Sequence, residues 1–311
     1  MRITHGFNPL TQPHAVTIGN FDGLHLGHQA MLARLQHVAR DRGLPSCVLS
    51  FEPHPREFFS PEKAPTRLSS LREKADELAL LGIDHLHVFR FDRAFAALSA
   101  HDFIERVLTN TLHARYVLVG DDFRFGAQRA GDFALLSRSS EVQGFDAEAL
   151  STVQVDGERA SSTAVRIALA AGDLTHAARL LGRPYSICGR VMHGDKLGRD
   201  LGYPTANVQL KHNRPPLWGI FAVRVSGLEA EDLPGVGSLG VRPTMKGAGA
   251  APVLEVHLFD FNREIYGRRV RVDFLHKLRD EAKYPDLPSL VAQISRDVDN
   301  AKHFLKQQAH G

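Results

Sequence analysis

The sequence predicts an α/β protein of two domains: a parallel sheet with helices first, then a six-stranded antiparallel β-barrel with a terminal helix. The chain has 311 residues, and a single hydrophobic core stops growing near about 250–300 residues. Up to about residue 184, short apolar segments alternate with amphipathic helical segments. After that point, strand-like segments follow one another with no helical segment between them. We therefore predict domains at residues 1–184 and 185–311.

The first part of the chain supplies five candidate strands. These are AVTIGNF, SCVLSF, HLHVFRF, RYVLVG and ALSTVQV, separated by helical segments such as SSLREKADELALLG and HDFIERVLTNTL. The first helix has an apolar stripe at three- and four-residue spacing, formed by Met31, Leu32, Leu35, Val38 and Ala39. Gly43 is its predicted end. Strands joined by helices pair in parallel and bind ligands at their carboxyl ends.

The second part supplies six candidate strands separated by Gly, Pro and Asn turns. These are YSICGRVM, PTANVQL, GIFAVRVS, GVGSLGV, VLEVHLFDF and RRVRVDFLHKL. The chain ends with one amphipathic helix whose stripe consists of Val291, Ile294, Val298, Ala301 and Leu305. The stripe lasts only about two heptads, so we expect this helix to pack on its own domain rather than form a coiled coil.

Composition excludes several classes of protein. Hydrophobic residues make up 43% and charged residues 23% of the chain, the balance of a globular protein. No segment has the apolar length of a membrane span or a signal peptide, so we expect a cytoplasmic protein with no membrane partner. Cys47 and Cys188 lie in apolar strand-like segments without metal-ligand spacing, so two buried thiols are expected. The net charge of +3, without a basic block, favours small anionic ligands over nucleic acid.

Two histidines stand where the first strand gives way to the first helix, in GLHLGH. His25 and His28 would lie at a helix N-terminus, where unpaired amides and a partial positive charge attract phosphate. Gly23 and Gly27 would allow close approach of the backbone. A lone histidine here is usually structural, and an HxxH pair can hold a metal, but no third ligand is close in sequence. Neither the Rossmann nor the Walker glycine pattern is present.

The segment ERASSTAVRIALAAG is a second candidate for phosphate binding. Ser161, Ser162 and Thr163 are typical of a helix N-cap, and Arg166 falls in the first turn, where its guanidinium can reach an anion. Taken alone, an ordinary capped helix explains the segment equally well.

The motifs together resemble a known family. GNFDGLHLGH and SSTAVR resemble the HxGH nucleotidyltransferases, and SFEPHPREFF, TRLSSLREKADELALLGID and VGDDFRFG narrow the resemblance to bacterial bifunctional riboflavin kinase/FMN adenylyltransferases, or FAD synthetases. The second half agrees, through GRVMHGDKLGRDLGYPTANV, GIFAV, SLGVRPT, LEVHLFDFNREIYG and LRDEAKYPDLPSLVAQISRDV. The resemblance covers nearly the whole chain and implies a Rossmann-like first domain and a riboflavin kinase barrel.

For the first domain, the resemblance implies transfer of AMP from ATP to FMN, giving FAD and pyrophosphate. It makes His25, His28 and Arg166 catalytic residues. The implied ATP ligands are these three with Asn20, Phe21, Asp22, Gly23, Ser162 and Thr163. Loop ordering or capping explains Asn20 and Asp22 nearly as well.

The resemblance also implies an FMN site in this domain. Its residues are His54, Arg56, Phe58, Asp122 and Phe123. Phe58 and the neighbouring Phe59 suit a flat ring, although core aromatics are an equally good explanation. Asp122 departs from relatives that carry asparagine at this position.

For the second domain, the resemblance implies ATP-dependent phosphorylation of riboflavin to FMN. Glu255 is the expected general base, and Thr205 and Asn207, on one side of a strand, are the expected Mg²⁺ ligands. The implied ATP and flavin site consists of Gly194, Lys196, Gly198, Arg199, Gly202, Pro204, Thr205, Asn207 and Glu255. The alternative for the glycine-rich segment is a plain surface loop. The alternative for Glu255 is a structural carboxylate paired with an arginine.

Two other functions are compatible with parts of the sequence. The first domain could adenylylate another phosphorylated acceptor, such as a pyridine nucleotide or phosphopantetheine, which would leave the barrel without a role. A nucleic-acid-binding barrel would need a basic stripe interleaved with stacking aromatics, and GRRVRV supplies only part of this. The expected partners are ATP, riboflavin and FMN, and the expected state is a monomer or weak homo-oligomer.

Overall fold

A computed structural model describes residues 1–194, 202–211, 214–243 and 250–308. The chain divides into two compact units. The first unit comprises Met1–Pro65 and Leu71–Ser161, and the second comprises Thr66–Ser70 and Ser162–Gly311. Residues 162–184 therefore cluster with the second unit, whereas the division of activities at residue 184 stays a prediction.

The first unit is built on a six-stranded parallel sheet in the order β1-β4-β3-β2-β5-β6. Its strands are β1 (Arg2–His5), β2 (His14–Ile18), β3 (Ser46–Glu52), β4 (His85–Arg90), β5 (Ala114–Gly120) and β6 (Asp146–Leu150). The parallel sheet confirms the predicted fold class. Strands β3 and β4 lie on one side of β2, and β5 and β6 on the other, so the carboxyl end of β2 is the topological switch point where α/β sheets bind ligands.

Helices cover both faces of this sheet, because residues of the central strands are buried alternately in two apolar clusters. The helices are α1 (Leu26–Asp41), α2 (Pro55–Phe59), α3 (Leu71–Leu80), α4 (Arg93–Ala96), α5 (Ala100–Asp102) and α6 (Phe133–Gln143), with a π-helix at Phe103–Thr109 and 3₁₀ turns at Pro61–Lys63 and Ala127–Arg129. Leu32, Leu35, Val38 and Ala39 are buried, as the stripe predicted, and Met31 is partly buried.

One strand of this unit was missed, and the predicted bounds of another were wrong. No local pattern indicated β1, because its four residues are polar or exposed for the most part. The predicted strand Ala149–Val155 ends at Leu150, and a separate hairpin follows, β7 (Gln154–Val155) with β8 (Glu158–Arg159). The chain leaves the sheet where the backbone N–H of Thr152 donates to Asp121 Oδ2 at 3.1 Å.

The second unit is a closed antiparallel barrel in the order β10-β13-β12-β11-β14-β9, which confirms the predicted six strands. The strands are β9 (Tyr185–Met192), β10 (Ala206–Val208), β11 (Gly219–Ser226), β12 (Leu233–Pro243), β13 (Ala250–Leu258) and β14 (Arg269–Arg279). Its helices are α7 (Ser162–Ala171), α8 (Leu174–Leu181) and α9 (Leu287–Gln308). Leu68, α7 and α8 share one apolar core with the barrel strands.

The terminal helix α9 packs on its own barrel, as predicted. Val298, Ala301 and Leu305 are buried against β11, β12 and the Phe259 ring, and Ile294 is partly buried. Arg279, at the end of β14, also holds Asp297 of the helix, with Nε–Oδ1 at 2.9 Å. No helix in the described ranges has the length and apolar character needed to cross a membrane.

Three buried histidines lie at the opposite edge of the first sheet from the switch point. His14 begins β2, His85 begins β4, and His87 follows on the same strand. Thr4 Oγ1 lies 2.8 Å from His85 Nε2 and 2.8 Å from His87 Nδ1. Burial is the main cause that lowers the pKa of all three imidazoles, and that of His85 falls to about 4.

We therefore expect the first unit to lose stability on acidification. An unfolded histidine has a pKa of about 6.5, so below that pH the unfolded state binds more protons and the free energy of unfolding falls. Between pH 7.5 and 5, the free energy of unfolding of His85→Gln should fall by about 1–2 kcal/mol less than that of the wild type. Hydrogen exchange of the β4 amides at both pH values measures this. Equal losses in the two proteins would contradict the expectation.

Candidate active sites

The loop between β2 and α1 places the two predicted histidines at the switch point. Phe21, Gly23 and Leu24 all have positive φ, at 47°, 82° and 44°, which turns the chain sharply. Left-handed backbone at a non-glycine residue costs about 1–3 kcal/mol. Burial of the Phe21 and Leu24 side chains offsets that cost, because each leaves about 1% of its surface exposed. The packed loop therefore fixes where α1 begins.

The two imidazoles are stacked at the N-terminus of α1. His25 is the N-cap residue, and its ring lies 3.7 Å from the His28 ring, with the planes inclined by 25°. Burial lowers the pKa of His28 well below its usual value, and the charges of His25 and Lys74 lower it further. His28 Nδ1 is buried and makes no hydrogen bond to any described residue. At neutral pH the site thus presents a neutral imidazole at a helix N-terminus.

Gly27 lets a second segment approach this helix. A Cβ atom at Gly27 would lie 3.1 Å from the carbonyl oxygen of Ala160 and 3.1 Å from His25 Nδ1. Such contacts are tighter than most side chains make, so glycine suits the position. The chain directly before Ser161 is therefore held against the first turn of α1.

The other phosphate candidates lie on α7. The helix begins at Ser162, so Ser162 and Thr163 lie in its first turn rather than at the N-cap, and Arg166 lies just after that turn rather than within it. Arg166 Nε donates to the carbonyl oxygen of Thr66 at 2.6 Å, a bond within the second unit. Part of the guanidinium is thus used to hold residues 66–70, and its role at a phosphate stays a prediction.

Sequence reasoning missed a buried lysine beneath the histidine loop. Lys74 on α3 is 6% exposed, and its Nζ donates to Ser50 Oγ at 3.1 Å. Ser50, near the carboxyl end of β3, donates in turn to the carbonyl oxygen of Asn20 at 3.4 Å. A signal was present, because Leu71, Lys74 and Leu78 follow the spacing of a core-facing stripe.

Aromatic side chains gather beside the histidine loop, at the carboxyl ends of β3 and β4. The ring of Phe91, after β4, lies 5.7 Å from Phe58, 5.7 Å from Phe59 and 5.9 Å from Phe51. Phe59 is 65% exposed, more than its neighbour Phe58. An exposed aromatic face next to a phosphate site is what a flat, phosphorylated ring system requires.

Two predicted FMN residues have structural tasks in this region. His54 caps α2, since its Nδ1 accepts from the backbone N–H of Arg56 at 3.1 Å and Glu57 completes a capping box. Asp122, after β5, accepts from Arg159 Nη2 at 2.7 Å. Phe123 stacks on Phe125 with ring centroids 5.4 Å apart. The predicted FMN residues thus lie at the ends of β3 and β5, the two neighbours of β2.

In the barrel, the structure pairs Asn207 and Glu255, a predicted Mg²⁺ ligand and the predicted general base of the kinase step. Asn207 of β10 lies directly opposite Glu255 of β13, and Ser238 of β12 lies opposite Glu255 on the other side. Residues opposite each other in an antiparallel ladder project to the same face, with Cβ atoms about 4.5–5.5 Å apart. Both Asn207 and Glu255 are half-buried. The amide and the carboxylate therefore share one site.

A glycine brings the next loop onto this pair. A Cβ atom at Gly194 would fall 2.1 Å from Asn207 Nδ2, so any other residue would displace the amide. Just before β10, the carbonyl oxygen of Pro204 lies 2.9 Å from His257 Nδ1 of β13. His257 was missed, although it alternates with Glu255 on β13. Lys196, Gly198 and Arg199 lie outside the described residues.

The donor set here suits a hard cation. Asn207 and Thr205 offer an amide and a hydroxyl oxygen two residues apart, beside the Glu255 carboxylate. Mg²⁺ prefers oxygen ligands and takes only one or two of them from the protein when substrate phosphates are present. The described residues contain no group of three or more histidine, cysteine or acidic side chains arranged to hold a metal. The residues fit a phosphate-bound Mg²⁺ rather than a closed metal centre.

A second carboxylate stands near the first. Burial raises the pKa of Glu281, and the charge of Glu255 raises it further. Gly240 of β12 leaves room for this side chain, because a Cβ atom there would overlap the Glu281 carboxylate.

Comparison with known families agrees with this division into two sites. Residues 8–164 match the family model of FAD synthetase, and residues 181–305 match that of riboflavin kinase. The chain belongs to the bifunctional riboflavin kinase/FMN adenylyltransferase family. The histidine loop and Lys74 fall in the FAD synthetase match, and Asn207 and Glu255 in the riboflavin kinase match.

Curated members of the family are similar over their full length. The bifunctional riboflavin kinase/FMN adenylyltransferase of Pseudomonas fluorescens is 48% identical, covering 100% of both chains. That of Escherichia coli K12 is 48% identical and that of Haemophilus influenzae 47%, each covering 98% of both chains. A crystal structure described as a macrolide-efflux protein from Streptococcus pneumoniae aligns with a TM-score of 0.81 and 29% identity, over 95% of this chain and 97% of that one.

Proposed function

We propose that this protein makes FAD from riboflavin in two ATP-dependent steps. The barrel unit phosphorylates riboflavin to FMN, and the first unit transfers AMP from a second ATP to FMN, releasing pyrophosphate. The observation that supports the proposal is the presence of two separate sets of polar side chains, stacked imidazoles at a helix N-terminus and an Asn–Glu pair in a barrel. The two family matches cover these sets one by one.

The adenylyl transfer needs positioning more than proton transfer. An FMN phosphate oxygen attacks the α-phosphorus of ATP, the bond from that phosphorus to the bridging oxygen breaks, and pyrophosphate leaves. The attacking phosphate is already ionised, so no general base is required. His25 and His28 stabilise the charge that develops on the phosphates. Asn20, Phe21, Asp22 and Gly23 shape the nucleotide loop, and Ser162, Thr163 and Arg166 stay predicted phosphate ligands from the sequence.

The FMN acceptor would lie beside this loop. The exposed face of Phe59 and the Phe58 and Phe91 rings suit the isoalloxazine, and the exposed Arg56 suits the phosphate. Asp122, Phe123 and His54 would complete the site. His54 caps α2 through its Nδ1, so it would position Arg56 at the start of that helix.

The kinase step requires a base because riboflavin presents a neutral alcohol. Glu255 accepts the proton of the riboflavin 5'-hydroxyl. The hydroxyl oxygen bonds to the γ-phosphorus of ATP, the bond from that phosphorus to the bridging oxygen breaks, and ADP leaves. Thr205 and Asn207 would hold Mg²⁺, which neutralises charge on the phosphates when it is bound. The predicted ATP and flavin ligands are Gly194, Lys196, Gly198, Arg199, Gly202 and Pro204.

A single reaction tests the proposal. Purified protein is incubated with riboflavin, ATP and MgCl₂, and flavins are separated by chromatography over time. FMN should appear first and FAD later, with two ATP consumed per FAD. Unchanged riboflavin in this mixture, together with adenylylation of a pyridine mononucleotide or phosphopantetheine, would establish the alternative nucleotidyltransferase. Salt-sensitive retention of an oligonucleotide would favour a nucleic-acid-binding role.

We further propose that the enzyme works in the cytoplasm as a monomer or weak homo-oligomer. ATP, riboflavin and FMN are its expected partners, and neither a membrane nor a nucleic acid is expected to bind. Light scattering over a range of protein concentrations checks the oligomeric state.

A further inference from the structure

We infer that Lys74 is a positioning residue of the adenylyltransferase site: its buried ammonium group holds the histidine loop through Ser50 and places a fixed positive charge beneath the imidazoles. This inference rests on the proposed function and adds a residue that neither the HxGH motif nor the SSTAVR segment contains. Three observations support it.

The first observation is burial. Lys74 is 6% exposed, and lysine is almost never buried to this extent unless its charge is used or paired. It lies in the first half of α3, between Leu71 and Leu78, at a position that an apolar residue would fill in an ordinary amphipathic helix. Burying an ammonium group has a cost that its polar contacts must offset, and the bond to Ser50 is one of these contacts.

The second observation is the contact between this lysine and the loop. Lys74 Nζ donates to Ser50 Oγ at 3.1 Å, and Ser50 Oγ donates to the Asn20 carbonyl oxygen at 3.4 Å. Asn20 Oδ1 is buried and makes no hydrogen bond to any described residue, which indicates that this loop is shaped for a group outside the protein. The lysine thus supports the backbone from which the histidine segment departs.

The third observation is electrostatic. The two charged groups that act on the His28 imidazole are His25, on the same helical turn, and Lys74, from α3, and both lower its pKa. Asp22 on the loop and Glu73 on α3 are the buried carboxylates of these two elements. Because His28 is neutral at neutral pH, the lysine supplies cationic charge that the His28 imidazole lacks. A nucleotide triphosphate would benefit directly from that charge.

The test compares Lys74→Gln with Lys74→Arg. Glutamine keeps a donor for Ser50 but removes the charge, whereas arginine keeps the charge. With FMN as acceptor, Lys74→Gln should raise the KM for ATP about tenfold and change kcat less, and Lys74→Arg should restore most of the affinity.

Three comparisons make the result decisive. Lys63→Gln, at an exposed lysine of the same unit, should leave the KM for ATP unchanged. Riboflavin phosphorylation by the same Lys74→Gln preparation verifies that its barrel is intact, and hydrogen exchange of the β2 and β3 amides verifies the fold of the first unit. If the wild type forms no FAD, the proposed function fails. If the wild type forms FAD while Lys74→Gln keeps its KM, or loses only kcat, the inference about Lys74 is overturned.

Discussion

His28→Ala is expected to reduce FAD formation by about 100- to 1,000-fold while riboflavin phosphorylation continues at the wild-type rate. Removing one preorganised donor that stabilises developing charge typically costs this factor. His28 stacks on His25 at 3.7 Å, at the start of α1, so its loss also frees the partner ring. The measurement is the initial rate of FAD formation from supplied FMN and ATP.

His37→Ala is the matched control for this experiment. His37 lies on the same helix, is 59% exposed and faces only Asp41, at 3.3 Å. It should leave both activities unchanged. A His28→Ala protein that is folded and has lost both FMN and FAD formation would refute the separation of the two sites.

Glu255→Gln should produce the reverse pattern. A positioned general base contributes about 10²–10⁴ in rate, so phosphorylation of riboflavin should fall by that order while supplied FMN is still converted to FAD. Glutamine keeps the size of the side chain opposite Asn207 and Ser238 but cannot take the proton. Asn207→Ala should act in the same direction, because the amide faces the same site.

The control for this variant is Glu264→Gln, an exposed carboxylate of the same unit. Riboflavin phosphorylation should be unaffected by it. The assignment of Glu255 would be wrong if Glu255→Gln phosphorylated riboflavin as fast as the control. A pH–rate profile of phosphorylation complements this measurement, because burial raises the pKa of the neighbouring Glu281 carboxyl and the charge of Glu255 raises it further.

Much of the fold could be predicted because apolar residues recur at helical spacing in α1 and form short strand-like segments in the barrel. The apolar stripe of α1 and the six barrel strands were recognisable from local pattern alone. The pairing of Asn207 with Glu255 could not be, because strand register depends on contacts between residues that are far apart in sequence. For the same reason β1, a short exposed edge strand paired only with β4, gave no local signal.

The site residues also differ in whether one short segment of the sequence was enough to indicate them. His25 and His28 could be found because a strand, two glycines and a helix start converge in one short segment. The contacts of Lys74 and His257 could not be found, because each joins segments that are far apart in the sequence: Lys74 contacts Ser50, and His257 contacts the Pro204 carbonyl. A polar residue inside an apolar stripe was the available signal for the lysine.

The grouping of Thr66–Ser70 with the barrel has a consequence for dissecting the gene. Leu68 is buried in the barrel core, and Tyr185 OH donates to its carbonyl oxygen at 3.1 Å. A fragment that begins at residue 185 would lose this contact and would also strip α7 and α8 from the barrel. One beginning at residue 162 would keep the helices but still leave a gap where Leu68 packs. A cut at either position therefore removes residues from the apolar core of the barrel.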